Sequence, residues 1–356
     1  MAVRRRPKPL LIFLVVTGSF LILLSAIYLF LTSPVDRSDH EKIDVVIPSG
    51  TGVRGVAQIL KNNDLIRSEF LFTVTVKTKA NIYLQASTYQ FSRDMSMEQI
   101  IEELVSGNSY NPNTISITFK EGERITDFAT EIANATNHSQ AEVLNTLNDR
   151  EFLTGLMKKY WFLTDSILQE GIYYALEGYL APDTYQFENK DVSITEIVET
   201  MLSEMDSELT PYKDKIANNV HYYITMASML ELEGTNTKNR KMIAGVFENR
   251  LHSNMNLGSD VTTYYALQYP MTSDLTTEQF ATLNPYNTRA VNMGGKMPIG
   301  PICNPSLSSL KASIEPTKNS YLYFVADKHG NIFYTSTLAE HEAKVQEIKD
   351  KGDWIW

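Results

Sequence analysis

The pattern of hydrophobic and polar positions predicts a buried helix in the middle of the chain. Residues 222–234 read Tyr-Tyr-Ile-Thr-Met-Ala-Ser-Met-Leu-Glu-Leu-Glu-Gly, so apolar side chains would cover nearly every face of a helix there. The segment ends on Glu231, Glu233 and Gly234. Successive helical residues rotate by about 100°, so the two carboxylates are expected to point to nearly opposite sides. The glycine favours a left-handed residue that closes the helix.

The two terminal glutamates admit two interpretations. Both could be solvated side chains at a helix end. Alternatively, one could project into a cleft, where the negative end of the helix dipole and apolar walls would raise the pKa of its carboxyl group. A carboxylic acid that stays protonated near neutral pH is suited to general-acid chemistry.

Further elements are predicted on either side of this helix. Residues 235–237 could cap a second helix over 238–251, and residues 193–208 are typical of an amphipathic helix. Residues 321–326 and 332–335 predict a β-hairpin. A repeat with a spacing of 72 residues is also present, and each copy is typical of a strand, a glycine turn and a helix. Its members are Ile47, Gly50, Val53, Val56 and Ala57, which recur as Phe119, Gly122, Ile125, Phe128 and Ala129.

The N-terminal region predicts a transmembrane helix over residues 10–32. This uncharged run is long enough, at 1.5 Å per residue, to cross a hydrocarbon core of about 30 Å. Basic residues precede the run, so the positive-inside rule makes residues 1–9 a cytoplasmic tail and places the rest outside, beginning with a polar linker at 33–43. A cleaved signal peptide is the alternative, although its apolar core usually has about 7–15 residues. We therefore expect a single-pass protein of the cell membrane with an extracytoplasmic main part.

Composition narrows the classes of function. Apolar content of 43% and charged content of 21% are those of a globular protein, and 356 residues allow two domains besides the apolar run. A net charge of −10 argues against nucleic acid as a partner. The one cysteine, Cys303, excludes an intrachain disulfide framework. The six histidines form no metal-binding motif, so neither a metal nor a cofactor is expected.

Several motifs together resemble the YceG-like family of endolytic murein transglycosylases. The central helix carries Ala-Ser-x-x-Glu-x-Glu over residues 227–233, and Asn-Arg-Leu at 249–251 and Leu-Gly-Ser-Asp-Val-Thr at 257–262 follow it. Similar segments of the family match at 177–185, 285–288 and 297–305, with Ala181 where the family typically has an aromatic residue. In the family the second glutamate of the helix motif is the catalytic acid. The resemblance therefore assigns that role to Glu233.

The resemblance also implies a domain organisation of the α+β class. Residues 44–113 resemble a small LysM-like module of the βααβ type, which could bind glycan or serve as a structural spacer. Residues 114–356 resemble the larger mixed α+β catalytic domain of the family. The motifs also supply candidate substrate-binding residues, although buried core tyrosines look the same in sequence and Pro182–Thr184 also suits a plain tight turn. The candidates are Tyr179, Asp183, Thr184, Tyr185, Asp260, Thr262, Tyr286, Asn287 and Asn304.

The number of carboxylates favours one cleavage chemistry over another. A glycoside hydrolase usually needs two carboxylates about 5–9.5 Å apart, whereas a lytic transglycosylase needs one residue that acts as acid and then as base. Glu233 has no carboxylate partner at helical spacing, although Asp183 and Asp260 could approach in space. Cleavage between MurNAc and GlcNAc in nascent peptidoglycan, leaving 1,6-anhydro-MurNAc ends and terminating strands, is the favoured function, with peptidoglycan synthases as further partners. A hydrolase that leaves reducing ends and a non-catalytic wall-binding scaffold are the alternatives.

Overall fold

The computed structural model describes residues 9–48, 51–79, 84–107 and 113–354. The chain forms two compact units, Met1–Asn113 and Thr114–Trp356. The predicted cytoplasmic tail lies almost wholly outside the described residues, and so does Gly50 of the sequence repeat.

The first helix, α1, covers Pro9–Thr32. Within the described ranges, no helix combines the length and the apolar character needed to cross a membrane. A crossing takes about 20 successive apolar residues. The transmembrane helix predicted at residues 10–32 is therefore wrong as part of the fold assignment, while the mixed α+β character agrees with the elements that follow.

After α1, the described residues of the first unit form one two-stranded sheet covered by helices. Strands β1 and β2 are antiparallel, and Ile43 pairs with Phe91. A cluster of buried side chains from both strands and the helices, including Leu60, Phe72 and Ile100, forms its core. The order begins with strand, helix, helix and strand, as expected for the βααβ module. The elements are β1 (Ile43–Val46), α2 (Val53–Asn62), α3 (Glu69–Thr78), β2 (Thr88–Phe91) and α4 (Met97–Ser106).

The second unit is larger and mostly helical, with two separate two-stranded antiparallel sheets, β3–β4 and the hairpin β5–β6. Its elements are β3 (Ile115–Thr118), α5 (Ile125–Ala135), α6 (Gln140–Leu147), α7 (Arg150–Lys159), β4 (Thr184–Phe187), α8 (Ile194–Leu209), α9 (Lys213–Ile216), α10 (Val220–Glu233), α11 (Thr237–His252), α12 (Asp260–Ala266), α13 (Thr277–Phe280), α14 (Leu307–Ile314), β5 (Tyr323–Ala326), β6 (Ile332–Thr335) and α15 (Leu338–Asp350), with single 3₁₀ turns at Asp165–Leu168, Thr210–Tyr212 and Ala217–Asn219.

The sequence repeat extends into a repeated strand pairing. Ile43 pairs with Phe91 in the first unit, and Ile115 pairs with Phe187 in the second. Both second strands read Thr-Tyr-Gln-Phe. The hydroxyl groups of their tyrosines, Tyr89 and Tyr185, each donate to the carbonyl oxygen four residues earlier, at 2.8 Å in both cases. The second unit therefore begins with an elaborated copy of the βααβ arrangement.

Helix α10 is buried between two parts of the core, as its all-round apolar pattern predicts. Ile224 and Ala227 belong to the cluster formed with α5 and α8, whereas Met229 and Leu230 pack into a second cluster with α11 and α12. Helices α11 and α14 lie against α10. The backbone at Thr317 approaches α11 so closely that position 245 requires glycine. A Cβ atom at Gly245 would lie 2.2 Å from the Thr317 carbonyl oxygen.

The expected left-handed glycine at the end of α10 is wrong. Gly234 has φ −107° and ψ 125°, which is extended backbone. Its amide still donates to the Leu230 carbonyl oxygen at 2.9 Å. The physical reason for glycine is space, because a Cβ atom here would lie 2.5 Å from Cγ of Arg240.

Candidate active site

The two glutamates at the end of α10 diverge, as the helical rotation predicts. The Glu231 carboxylate pairs with the Arg240 guanidinium at 2.5 Å, and their side chains are 5% and 12% exposed. It also accepts hydrogen bonds from the Ser306 amide at 2.9 Å, the Ser306 hydroxyl at 2.6 Å and the Ser309 hydroxyl at 2.7 Å. Glu231 thus ties α10 to α11 and α14, and its acceptor atoms are occupied.

Glu233 points to the other side of the helix. It is half-buried, and the Ser259 hydroxyl donates to its Oε1 atom at 2.5 Å. Burial raises the pKa of Glu233 to about 7, and the negative charge of Asp260 acts in the same direction. The hydrogen bond from Ser259 and the positive charge of Arg250 act against that rise. The result is a carboxyl group that can hold and release a proton near neutral pH.

Ser259 is held in place by its own backbone. Gly258 precedes it with φ +62°, a left-handed conformation that glycine adopts without strain. The Ser259 amide donates to the Thr288 hydroxyl at 3.0 Å, and the Ser259 carbonyl oxygen accepts from the Thr262 hydroxyl at 2.6 Å. The two threonine hydroxyls are 2.9 Å apart. This buried network connects the start of α12 with the loop at 284–288.

Opposite charges flank the Glu233 carboxyl group. Arg250 donates to the carbonyl oxygens of Leu257 at 2.5 Å and Leu322 at 2.6 Å, and its guanidinium lies 5.3 Å from the centre of the Tyr323 ring. Burial lowers the pKa of Arg250. The Asp260 side chain is 54% exposed and pairs with the Arg289 guanidinium. The site therefore combines a half-buried cation, Arg250, with an exposed ion pair.

A second buried carboxyl group organises the proline-rich loop. Glu177 is 1% exposed and accepts from the Ile125 amide and the Tyr265 hydroxyl, both at 3.0 Å. The Asn304 side-chain amide donates to Glu177 at 3.3 Å, and its Oδ1 atom accepts from the Gly178 amide at 2.9 Å. Burial raises the pKa of Glu177 to about 8. These contacts join segments 177–180 and 301–305.

Five of the predicted substrate-binding residues are buried and bonded within the protein. The Tyr179 hydroxyl and His221 Nδ1 are 2.7 Å apart. The Asn287 side chain accepts from the Thr263 hydroxyl at 2.7 Å and donates to two backbone carbonyl oxygens. In this conformation the five side chains are held in internal contacts and face no open surface. They are Tyr179, Thr262, Tyr286, Asn287 and Asn304.

Three other predicted residues lie at the start of β4. Asp183 and Thr184 are exposed, and the Thr184 amide donates to the Asp183 carboxylate at 2.6 Å. The charge of Asp183 acts on Tyr185 and on Glu208 of α8, whereas Asp260 acts on Glu233. Burial, helped by the neighbouring Glu204 charge, raises the pKa of Glu208 to about 7. The charge of Asp183 therefore acts near α8, whereas that of Asp260 acts at Glu233.

In the Leu-Gly-Ser-Asp motif, the sequence analysis named Asp260 as a candidate site residue but not Ser259. Ser259 contacts Glu233 directly, and Arg250 and Thr288 complete its surroundings. The available signal was Gly258, because a glycine that permits a positive φ just before a serine indicates a fixed hydroxyl position. Over the described ranges, no group of three or more His, Cys, Asp or Glu side chains is placed to hold a metal ion.

Comparison with known proteins assigns the chain to one family. Residues 45–347 match the YceG-like family, and the chain belongs to that family. Among its relatives, the endolytic murein transglycosylase of Bacillus subtilis strain 168 is 36% identical over 332 residues, which are 91% of this chain and 89% of that protein. The endolytic murein transglycosylase of Streptococcus pneumoniae serotype 2 is 31% identical over 88% of this chain and 60% of its own length.

A solved structure supports the same assignment. A crystal structure of a YceG-like protein from Listeria monocytogenes has 35% sequence identity and a TM-score of 0.61 with this chain. The similarity covers 85% of this chain and 99% of that one.

Proposed function

We propose that this chain is an endolytic murein transglycosylase, which cleaves the bond between MurNAc and GlcNAc within glycan strands and leaves 1,6-anhydro-MurNAc ends. Membership of the YceG-like family and relatives of that name at 31–36% identity support the enzyme class. The observation that carries the chemistry is Glu233, a carboxyl group at a helix end whose pKa is raised to about 7 by burial.

The proposed reaction uses Glu233 twice. In its protonated form it gives its proton to the glycosidic oxygen while the bond from C1 of MurNAc breaks, and an oxocarbenium-like cation forms. The Glu233 carboxylate then removes the proton from the C6 hydroxyl of the same sugar, whose oxygen bonds to C1 and closes the anhydro ring. No water is consumed, and the enzyme regains its proton. A group that acts in both directions works best when its pKa is close to the working pH.

Among the described residues, three carboxyl groups have a pKa raised to about 7 or 8, but their surroundings differ. Glu177 is fully buried and all its contacts are internal, so a glycan could not reach it. Glu208 is also half-buried with a like charge nearby, that of Glu204, but it lies on α8, outside the helix motif that carries Glu233. Glu233 is half-buried at the end of the motif helix, accepts a hydrogen bond from Ser259 and lies near the exposed Asp260. Glu233 is therefore the acid that the geometry supports best.

A hydrolase is the second candidate because Asp260 lies close enough to influence Glu233. A hydrolase would use the second carboxylate as nucleophile or base. In this structure, however, the Asp260 carboxylate is held in an ion pair with Arg289. The products separate the two reactions, because a hydrolase leaves reducing ends and a transglycosylase leaves anhydro ends.

The test is digestion of purified peptidoglycan, followed by mass spectrometry of the muropeptides. Glu233→Gln should abolish the anhydro products, because an amide cannot give a proton to the leaving oxygen. Glu208→Gln is the matched control, since that carboxyl group has the same raised pKa but lies on another helix, and it should retain activity. Reducing ends would indicate the hydrolase. No products from the unmodified chain would indicate a non-catalytic scaffold, and activity of Glu233→Gln would refute the assignment of the acid.

We further propose that the catalytic unit is extracytoplasmic and terminates nascent strands near the peptidoglycan synthases. The substrate itself supports this placement, because murein lies outside the cytoplasm. Longer glycan strands in cells that carry only Glu233→Gln would support a terminating role, and unchanged lengths would contradict it. The location at the cell membrane stays a prediction, which fractionation of cells would test.

A further inference from the structure

The closest polar contact of the Glu233 carboxyl group comes from a residue to which the family resemblance assigns no role. The Ser259 hydroxyl lies 2.5 Å from Oε1 of Glu233, and Ser259 is 2% exposed. Its amide and carbonyl groups are fixed by Thr288 and Thr262. The hydroxyl group therefore stays beside the carboxyl group without help from a substrate.

We infer that Ser259 is a positioning residue that donates its hydroxyl proton to Oε1 of Glu233 and thereby directs the catalytic proton to Oε2. The inference rests on the proposed function, in which Glu233 is the acid. In a protonated carboxyl group one oxygen carries the proton and the other accepts. If Oε1 accepts from Ser259, the proton of Glu233 belongs on Oε2.

The same contact suits the second half of the reaction. When Oε2 has given its proton to the leaving oxygen, the hydrogen bond to Oε1 stabilises the carboxylate that remains. Oε2 is then the free acceptor for the proton of the C6 hydroxyl. The proton would leave and return at one atom, without rotation of the side chain. Ser259 would therefore set both the position and the affinity of the catalytic proton.

Besides burial and the Ser259 hydroxyl, charged groups influence Glu233. Because Ser259 is uncharged, its replacement by alanine leaves these charges unchanged. Glu231, the helix neighbour of Glu233, faces the other way and pairs with Arg240. The charges of Asp260 and Arg250 influence the pKa of Glu233 directly. Arg289 pairs with Asp260, and Tyr323 and His341 interact with Arg250. The titratable and charged groups on the elements around Glu233 are Asp260 of α12, Arg289 of the following loop, Arg250 of α11, Tyr323 of β5 and His341 of α15.

The test is the pH dependence of kcat/KM for anhydro-product formation on soluble glycan strands. The alkaline limb of that profile reports the pKa of the acid in the free enzyme. Ser259→Ala should move the limb upward by about one pH unit, because the carboxylate loses a donor. Ser259→Thr keeps the hydroxyl group and should return the limb to its original position. If the alanine variant does not fold, Ser259→Thr still allows the position of the limb to be measured.

The sign of the shift makes the test decisive. A downward shift in Ser259→Ala would mean that the carboxylic acid donates to the serine, and an unchanged limb would mean that the contact is structural; either result overturns the inference. Ser309→Ala is the matched control, because its hydroxyl donates to Glu231 at 2.7 Å, and it should leave the limb in place. If the unmodified chain forms anhydro ends that Glu233→Gln abolishes, failure of the predicted shift counts against Ser259 alone. If no such ends form, the proposed function itself fails.

Discussion

Replacement of Glu231 by alanine should destabilise the second unit strongly, although Glu231 is not the proposed acid. The change would leave the Arg240 guanidinium, which is 12% exposed, without its carboxylate partner. It would also remove the acceptor for the Ser306 amide and for two serine hydroxyls. Breaking a buried ion pair by removing one partner costs about 3–5 kcal/mol. In a unit of this size that loss would lower Tm by roughly 10 °C.

Thermal unfolding followed by circular dichroism measures the effect. Glu315→Ala is the control, because Glu315 pairs with Lys215 at 2.9 Å on the surface, and loss of an exposed pair should hardly move the transition. Replacing both partners, Glu231→Leu with Arg240→Met, should recover part of the lost stability, because no charge is then left buried and unpaired. A Tm for Glu231→Ala equal to that of the surface control would refute the reasoning.

Substitutions at Gly245, Gly155 and Glu177 should change the stability of the second unit in predictable directions. Gly245→Ala should lower the free energy of unfolding by about 1–3 kcal/mol, because the new methyl group would overlap the Thr317 carbonyl oxygen. Gly155 in α7 has open space around it, so Gly155→Ala should raise the free energy of unfolding by up to about 1 kcal/mol. Urea unfolding measures both variants, and changes of the same sign would contradict the prediction. The pKa of Glu177 is about 8 when folded against 4.5 ordinarily, so the folded chain binds the extra proton and stability should fall as pH rises from about 5 to 8. Glu177→Gln should flatten that slope in urea midpoints, and an unchanged slope would contradict the assignment.

The parts of the site that depend on local geometry could be predicted from the sequence. The all-round apolar pattern at 222–234 predicts a buried helix, and α10 is buried. The rotation of a helix predicts that Glu231 and Glu233 diverge, and their partners lie on different elements. Both inferences use only neighbouring residues, so tertiary packing had little opportunity to change them.

The parts that depend on long-range contacts could not be predicted in this way. Ser259 meets Glu233 across 26 positions of sequence, through a loop whose path is set by its bonds to Thr288. A tyrosine near a turn looks the same whether its ring faces a ligand or the core, and Tyr179 and Tyr286 are buried. Gly234 is required by a side chain from the next helix rather than by its own φ. In each case the deciding atom belongs to a distant segment.

The repeated βααβ arrangement suggests how the site is supported. In the first copy 48 positions separate Ile43 from Phe91, whereas in the second copy 72 separate Ile115 from Phe187. This difference explains why a fixed spacing of 72 residues reveals the first strand and helix of the repeat but not its second strand. The longer connection contains Glu177, and Asn304 of the proline-rich loop binds to it.

The turn of the second copy holds the same loop from the other side. The Gly122 amide donates to the Asn304 carbonyl oxygen at 2.9 Å, and the Asn304 amide donates to the Glu123 carbonyl oxygen at 2.9 Å. A Cβ atom on Gly122 would lie 3.4 Å from Leu232 at the end of α10. The copied strand pair therefore supplies a rigid base, and its turn and its longer connection hold the loop beside the carboxyl end of α10. Asn304 is buried because both segments pack against it. A loop that is fixed from two sides can keep the surroundings of Glu233 constant during the reaction.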